Sequence, residues 1–164
     1  MNIEELTQKE FELYSKVSQL QGTIDYKNEQ ISLLGISDEY KMIHKEYAKI
    51  CEQNIEALKR GLFISWFSIS EPTFLTGISE LDKNAEEKII SKIDKKIKTK
   101  SLDSELNWMI DYYKDWNYVF ENFKNFESFY SKINSEEITE MPKYDKQEMK
   151  SRGQMGIYWS SLQI

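Results

Sequence analysis

Residues 3–34, IEELTQKEFELYSKVSQLQGTIDYKNEQISLL, repeat a pattern of apolar residues every seven positions. β-Branched residues dominate one position of the repeat and leucines the other, a pattern typical of helices that pack side by side. The spacing predicts a helix that ends at Gly35, with Gly22 as a point where it kinks or breaks into two helices. The two repeat positions hold Ile3, Glu10, Val17, Ile24 and Ile31, and Leu6, Leu13, Leu20, Lys27 and Leu34.

The repeat has two interpretations. In the first, it forms a parallel coiled coil and makes the protein a homodimer through residues 3–34. In the second, it packs within the chain against the helix that follows. The connection over 35–37 is so short that this next helix must fold back beside the first. We favour the second interpretation, a coiled-coil-like helical hairpin at the N-terminus.

Further along the chain, apolar residues at three- and four-residue spacing predict three more helices. A helix over 38–70 has one apolar and one charged face, becomes apolar on every side near its end, and stops before Pro72. The apolar end of this helix also fits a short buried strand. A shorter helix over about 84–97 and a long one over about 103–133 follow. We therefore predict an all-α fold, an antiparallel helical bundle formed by residues 1–133.

Residues 134–164 are predicted to form a C-terminal tail. Charged residues and Pro142 give the tail a polar, exposed linker, and its end is apolar. Large apolar side chains gain roughly 1.5–3 kcal/mol each when they are buried. We therefore expect this end to dock, on its own bundle rather than on a second copy of the chain. The apolar residues of the docking segment are Ile157, Tyr158, Trp159, Leu162 and Ile164.

The composition limits the compartment and the partners. The chain has a formal net charge of −6 and a single cysteine, Cys51, so it holds no internal disulfide. A protein without disulfides whose first residues lack a signal-peptide pattern is expected in the cytoplasm. An acidic chain repels phosphate backbones, and its longest apolar stretch, near 62–69, is too short to cross a bilayer. We expect neither nucleic acid nor a membrane as a partner.

Residue types that carry catalysis or bind metals do not converge in the sequence. His44 and Cys51 are two turns apart on one predicted helix, roughly 10 Å, too far for a nucleophile–base pair. One histidine and one cysteine do not supply the four ligands of a structural zinc site. Carboxylate pairs fall on the polar faces of helices, and the lysines of 88–100 lack the stacking aromatics of nucleic-acid sites. We predict a protein that is not an enzyme, with no catalytic residue, no metal and no cofactor.

Aromatic side chains crowd the last long helix. They cover an arc of about 200° on a helical wheel, whereas a helix that faces one core needs a little over 100°. The excess is either enclosed by neighbouring helices or presented to a partner, and tyrosine and tryptophan are enriched at interfaces. The residues that we expect to bind a partner are Tyr112, Trp116, Tyr118, Phe123, Phe126 and Tyr130.

The sequence therefore favours a protein that acts by binding another protein, as a scaffold or as an inhibitor or immunity-type protein. In the latter, carboxylates on an acidic surface meet a basic target through complementary charge. The alternative is a helical bundle that binds a small apolar ligand and has a regulatory role. The residues that we expect to line such a pocket are Trp66, Phe67, Phe74 and Trp108.

Overall fold

A computed structural model describes residues 1–162, and all regular structure within them is helical. The prediction of an all-α helical bundle is confirmed. Ile164, the last residue of the predicted docking segment, lies outside the described residues. A 3₁₀ segment, Lys114–Phe123, lies between the seventh and eighth helices. In chain order the helices are α1 (Ile3–Ser18), α2 (Ile24–Leu33), α3 (Ile36–Ile50), α4 (Ile55–Ser70), α5 (Thr73–Thr76), α6 (Lys83–Lys98), α7 (Ser104–Tyr113), α8 (Glu127–Ile133), α9 (Lys146–Lys150) and α10 (Gly153–Ser161).

The predicted first helix breaks into α1 and α2 at Gly22, so the coiled-coil-like hairpin is not confirmed. Gly22 has a φ of +128°, a conformation that favours glycine. The Thr23 side chain then caps α2 by accepting a hydrogen bond from the backbone N–H of Tyr26 at 3.2 Å. Beyond the break the heptad is only partly buried, because Ile31 is 2% exposed whereas Ile24 and Leu34 are 53% and 50% exposed.

The other two long helices are also interrupted. Asn54 starts α4 by accepting a hydrogen bond from the N–H of Ala57 at 3.1 Å, which separates α4 from α3. In the last predicted helix, Trp116 has non-helical dihedrals, φ −120° and ψ 40°, within the 3₁₀ segment that follows α7. Local capping and backbone geometry thus divide apolar patterns that continue across each break.

The core surrounds α4, which is buried on every side from Ala57 to Phe67. This stretch includes the alternative strand, and the structure makes it helical. Helices α3, α6 and α10 and the 3₁₀ segment pack against α4. The tail helix α10 also packs against α1, with Trp159 fully buried. No helix within residues 1–162 has both the length and the apolar character that a membrane span requires.

Candidate functional site

Many of the predicted aromatic residues meet around Trp66 of α4. Six rings have centroids within 6.0 Å of the Trp66 ring, and they come from α4, α7, the 3₁₀ segment and α10. A hydrogen bond of 2.7 Å between the hydroxyls of Tyr112 and Tyr158 ties α7 to α10 at the edge of this group. The aromatic cluster around Trp66 consists of Phe63, Trp66, Phe67, Tyr112, Tyr113, Trp116 and Tyr158.

The six residues predicted to bind a partner differ in exposure. Tyr118 is the one that is more than half exposed, at 54%, and Phe123 is buried. The remaining four are half-buried, and the rings of Tyr112 and Trp116 pack on each other in the aromatic cluster at 5.4 Å. Phe126 likewise lies against Phe123, with centroids 6.3 Å apart. Much of the arc therefore packs inside the bundle, and the partner-binding role of these residues stays a prediction.

The four residues predicted to line a ligand pocket lie in two places. Trp66, Phe67 and Trp108 are buried among other aromatic rings. Phe74 instead lines an open cleft between α2 and α5, together with Ile31 and other residues. Six aromatic rings lie within 6.0 Å of the Trp66 ring, centroid to centroid, so this part of the interior is packed. Binding of a small apolar ligand there stays a prediction.

A buried polar network, which the sequence did not predict, is centred on Glu10 of α1. This carboxylate is 1% exposed and accepts hydrogen bonds from the Tyr47 hydroxyl and, at 2.7 Å, from the backbone N–H of Gln154. Burial raises the pKa of Glu10, although these two hydrogen bonds and the charge of Arg60 act in the opposite direction. Glu10 thus holds the start of α10 against α1.

Glycine at position 153 makes this contact geometrically feasible. Gly153 has a φ of +66°, and a Cβ atom placed there would lie 2.7 Å from one carboxylate oxygen of Glu10. A larger residue would therefore push the carboxylate away from the N–H of Gln154. The sequence signals were the charged residue at a heptad position and a glycine just before an apolar segment.

Ion pairs continue the network along α4. Arg152 donates two hydrogen bonds, of 2.8 and 2.6 Å, to the Glu56 carboxylate, and lies 2.7 Å from Glu105. Lys59 lies 2.7 Å from Asp103 and 3.2 Å from Glu105. Each of these carboxylates already has a cation against it, so the arrangement joins α4, α7 and the tail rather than offering a free catalytic acid or base.

His44 contacts Ser65 rather than Cys51. Its Nε2 atom lies 2.9 Å from the Ser65 Oγ and 3.2 Å from the carbonyl oxygen of Gly61. Both His44 and Ser65 are buried at 1% exposure or less, so a substrate in solution does not reach the pair. Burial lowers the pKa of His44 to about 4, which keeps the ring neutral at pH 7. These features fit a packed polar contact in the core.

The lowered pKa of His44 predicts a pH dependence of stability. The unfolded chain takes up a proton near pH 6.5, whereas the folded chain does so near pH 4. The stability contributed by the neutral ring is present above pH 6.5 and is lost as the pH falls to about 4. In urea unfolding, the stability advantage of the wild type over His44→Gln should shrink by about 2 kcal/mol from pH 7 to pH 5. An advantage that stays constant over this range would contradict the prediction.

Apolar and acidic side chains share one surface, the α2–α5 face, formed by residues 24–39 and 71–82. Helix α2 packs against α3 and α5, and residues of these segments line an open cleft of about 520 Å³. Leu33 is 72% exposed and Leu75 is 55% exposed, and Ile31 and Phe74 line the cleft. Exposed apolar groups that gather in this way are typical of interaction sites. The break at Gly22 contributes to this face, because two heptad residues beyond it, Ile24 and Leu34, are exposed.

The charge of the α2–α5 face is strongly acidic. Lys27 is the single base of these two segments, against seven acids. Asp82 pairs with Lys45 at 3.9 Å, and within residues 1–162 the other six acids make no ion pair. The seven acids are Asp25, Glu29, Asp38, Glu39, Glu71, Glu80 and Asp82.

Comparison of the chain with protein-family models, curated proteins and solved structures gave no match. No activity, ligand or partner can therefore be transferred to this chain from a related protein. The exposure and charge of its own residues are the basis for a functional proposal.

Proposed function

We propose that the protein is a non-catalytic binding protein whose partner is another protein with a basic surface. The α2–α5 face supports this proposal, because it combines exposed apolar side chains with six carboxylates that make no ion pair within residues 1–162. Leu33, Leu34 and Leu75 would supply apolar contact area, which gives affinity when it is buried. The carboxylates would attract a basic surface and set its orientation. A scaffold and an inhibitor of a basic protein both fit this arrangement.

Two leucine substitutions test the apolar part of the proposed interface. The double variant Leu33→Ser, Leu75→Ser should weaken binding of a partner isolated from native lysate by at least about tenfold, because each leucine contributes more than 1 kcal/mol when buried. The matched control is Ile138→Ser, which removes a side chain that is 94% exposed on the tail, outside the face. Surface plasmon resonance measures the affinity of the double variant and of the control for the partner. Equal affinities of the double variant and the wild type would refute this location of the interface.

Salt and charge variants test the electrostatic part. Raising ionic strength from about 0.05 to 0.5 M should slow association, because the Debye length falls from about 14 Å to about 4 Å and screens the attraction between exposed charges. The variant Glu29→Gln, Asp38→Asn should show a smaller salt dependence than the wild type. The control Glu136→Gln removes an exposed acid outside the face and should leave the salt dependence unchanged. An association rate independent of salt would argue against a basic partner.

A further inference from the structure

A second cleft lies between the end of α4, the connection from α5 to α6, and the 3₁₀ segment. Its volume is about 610 Å³, and residues from all of these elements line it. One wall is apolar, with Ile69, Leu81 and Phe123, and Ser68 and Asn122 add uncharged polar groups. Two carboxylates, Glu80 and Glu86, reach the same cleft. The cleft thus combines a surface for an alkyl chain with negative charge.

Glu86 is half-buried in this cleft without a donor. Within residues 1–162, its carboxylate makes no hydrogen bond and no ion pair of 4 Å or less. Other carboxylates with little exposure do have donors: Glu56 binds Arg152, and Asp94 accepts from the backbone N–H of Phe129 at 2.8 Å. Because no group within residues 1–162 donates to this carboxylate, and because Glu86 lines an open cleft, it is accessible to a charged donor that enters the cleft.

The charges around Glu86 favour a cation. Burial, followed by the negative charges of Asp82 and Glu87, raises its pKa to about 7. Within residues 1–162, Lys83 is the single base in the lining, and it lies beyond ion-pair distance of Glu86. The residues that α4 and the 3₁₀ segment contribute to the lining are uncharged. A bound cation would stabilise the ionised form of Glu86 and release its proton.

We propose that this cleft binds a primary alkylammonium group, with the ammonium at the Glu86 carboxylate and the alkyl chain against Ile69, Leu81 and Phe123. An anion is disfavoured because the two carboxylates outnumber the lysine in the lining. A calcium ion is also disfavoured, because it takes six to eight oxygen ligands. The cleft offers two carboxylates, from Glu80 and Glu86, and a few uncharged polar groups. The group comes either from a free amine or from a lysine side chain of a protein. This site adjoins the α2–α5 face and shares Glu80 and Leu81 with it, whereas Glu86, Ile69 and Phe123 lie outside that face.

The test compares three six-carbon probes of equal chain length and different charge. Titration of n-hexylammonium, hexanol and hexanoate into the full chain at pH 8 is followed by the NMR shifts of the amides of Leu81, Glu86 and Phe123. We expect saturable shifts with n-hexylammonium and at least fivefold weaker binding of hexanol and hexanoate. Absence of shifts at these amides, or equal binding of hexanol, would overturn the proposal.

Variants and pH identify the carboxylate. Glu86→Gln should abolish the preference for n-hexylammonium over hexanol, whereas the control Glu87→Gln on the same helix should keep it. If only ionised Glu86 binds the cation, a pKa of about 7 makes the affinity rise about tenfold from pH 6 to pH 8 in the wild type. This rise should disappear in Glu86→Gln. An unchanged preference in Glu86→Gln, or a pH-independent affinity in the wild type, would overturn the assignment.

A peptide arm distinguishes the two sources of the ammonium group. A blocked Gly-Gly-Lys-Gly-Gly peptide is compared with the same peptide carrying norleucine, whose side chain has no charge. Shifts at the same three amides with the lysine peptide alone indicate a protein side chain as the source. Shifts with n-hexylammonium but with neither peptide indicate a free amine. Binding of the norleucine peptide as tightly as the lysine peptide would contradict recognition of the ammonium.

Discussion

Replacing Trp66 with alanine is expected to lower the free energy of unfolding by about 4 kcal/mol and the melting temperature by roughly 10 °C. Trp66 is fully buried, and the rings of Tyr113, Trp116 and Tyr158 are among the six that surround it. Truncation to alanine removes all of these contacts and leaves a cavity that rigid neighbouring rings cannot fill. Urea unfolding followed by far-UV circular dichroism measures the change.

The control for this substitution is Tyr118→Ala in the neighbouring 3₁₀ segment. Its side chain is 54% exposed, so its removal should change the free energy of unfolding by less than about 0.5 kcal/mol. Trp66→Phe, which keeps an aromatic ring, should fall between the two. A loss below about 1 kcal/mol for Trp66→Ala would mean that the aromatic cluster is loosely packed and could accommodate a ligand.

Replacing Glu10 with alanine should cost about 3 kcal/mol, because two buried donors lose their acceptor together. These donors are the Tyr47 hydroxyl and the backbone N–H of Gln154. The loss should also loosen the start of α10. Hydrogen exchange at the amide of Gln154 should therefore accelerate more than exchange at amides within α4.

The matched control is Glu12→Ala on the same helix, where the carboxylate is exposed and accepts one hydrogen bond, from Gln8. We expect a change below about 0.5 kcal/mol there. Gly153→Ala should resemble Glu10→Ala, since a methyl group at that position meets the Glu10 carboxylate. Normal protection of the Gln154 amide in Glu10→Ala would show that packing alone holds α10.

Periodicity was enough to predict the fold class, and the local breaks depended on other signals. The apolar spacing continues through Gly22 and through Asn54, so the pattern alone gives long helices. The glycine itself predicted a possible break at Gly22, whereas the break at Asn54 was not predicted. The backbone interrupts them because Gly22 adopts a positive φ and Asn54 caps a new helix. The capping residue was visible in the sequence, but asparagine also occurs within helices and does not by itself mark a break.

The candidate sites required three-dimensional information. Glu10 occupied a heptad position, and only the fold shows that its partners come from α3 and α10. Leu34, at the end of α2, was assigned to a packing seam, because the change of chain direction at Gly22 does not appear in a seven-residue count. Glu86 resembled an ordinary acid in the first turn of a helix. Its lack of a donor depends on which residues of α4 and the 3₁₀ segment face it.

The contact between Glu10 and Gln154 spans 144 positions, which affects how a nascent chain reaches this fold. A ribosome that adds about 5–20 residues per second needs roughly 7–30 s to synthesise that length of chain. During this time Glu10 has no helix start to bind, and the Trp108 ring lacks Trp159, its neighbour at 4.7 Å. Until α10 is synthesised, helices α1 to α7 therefore form an incomplete core with exposed aromatic surface. We expect this exposed aromatic surface to make the partly synthesised chain prone to aggregation until α10 has formed.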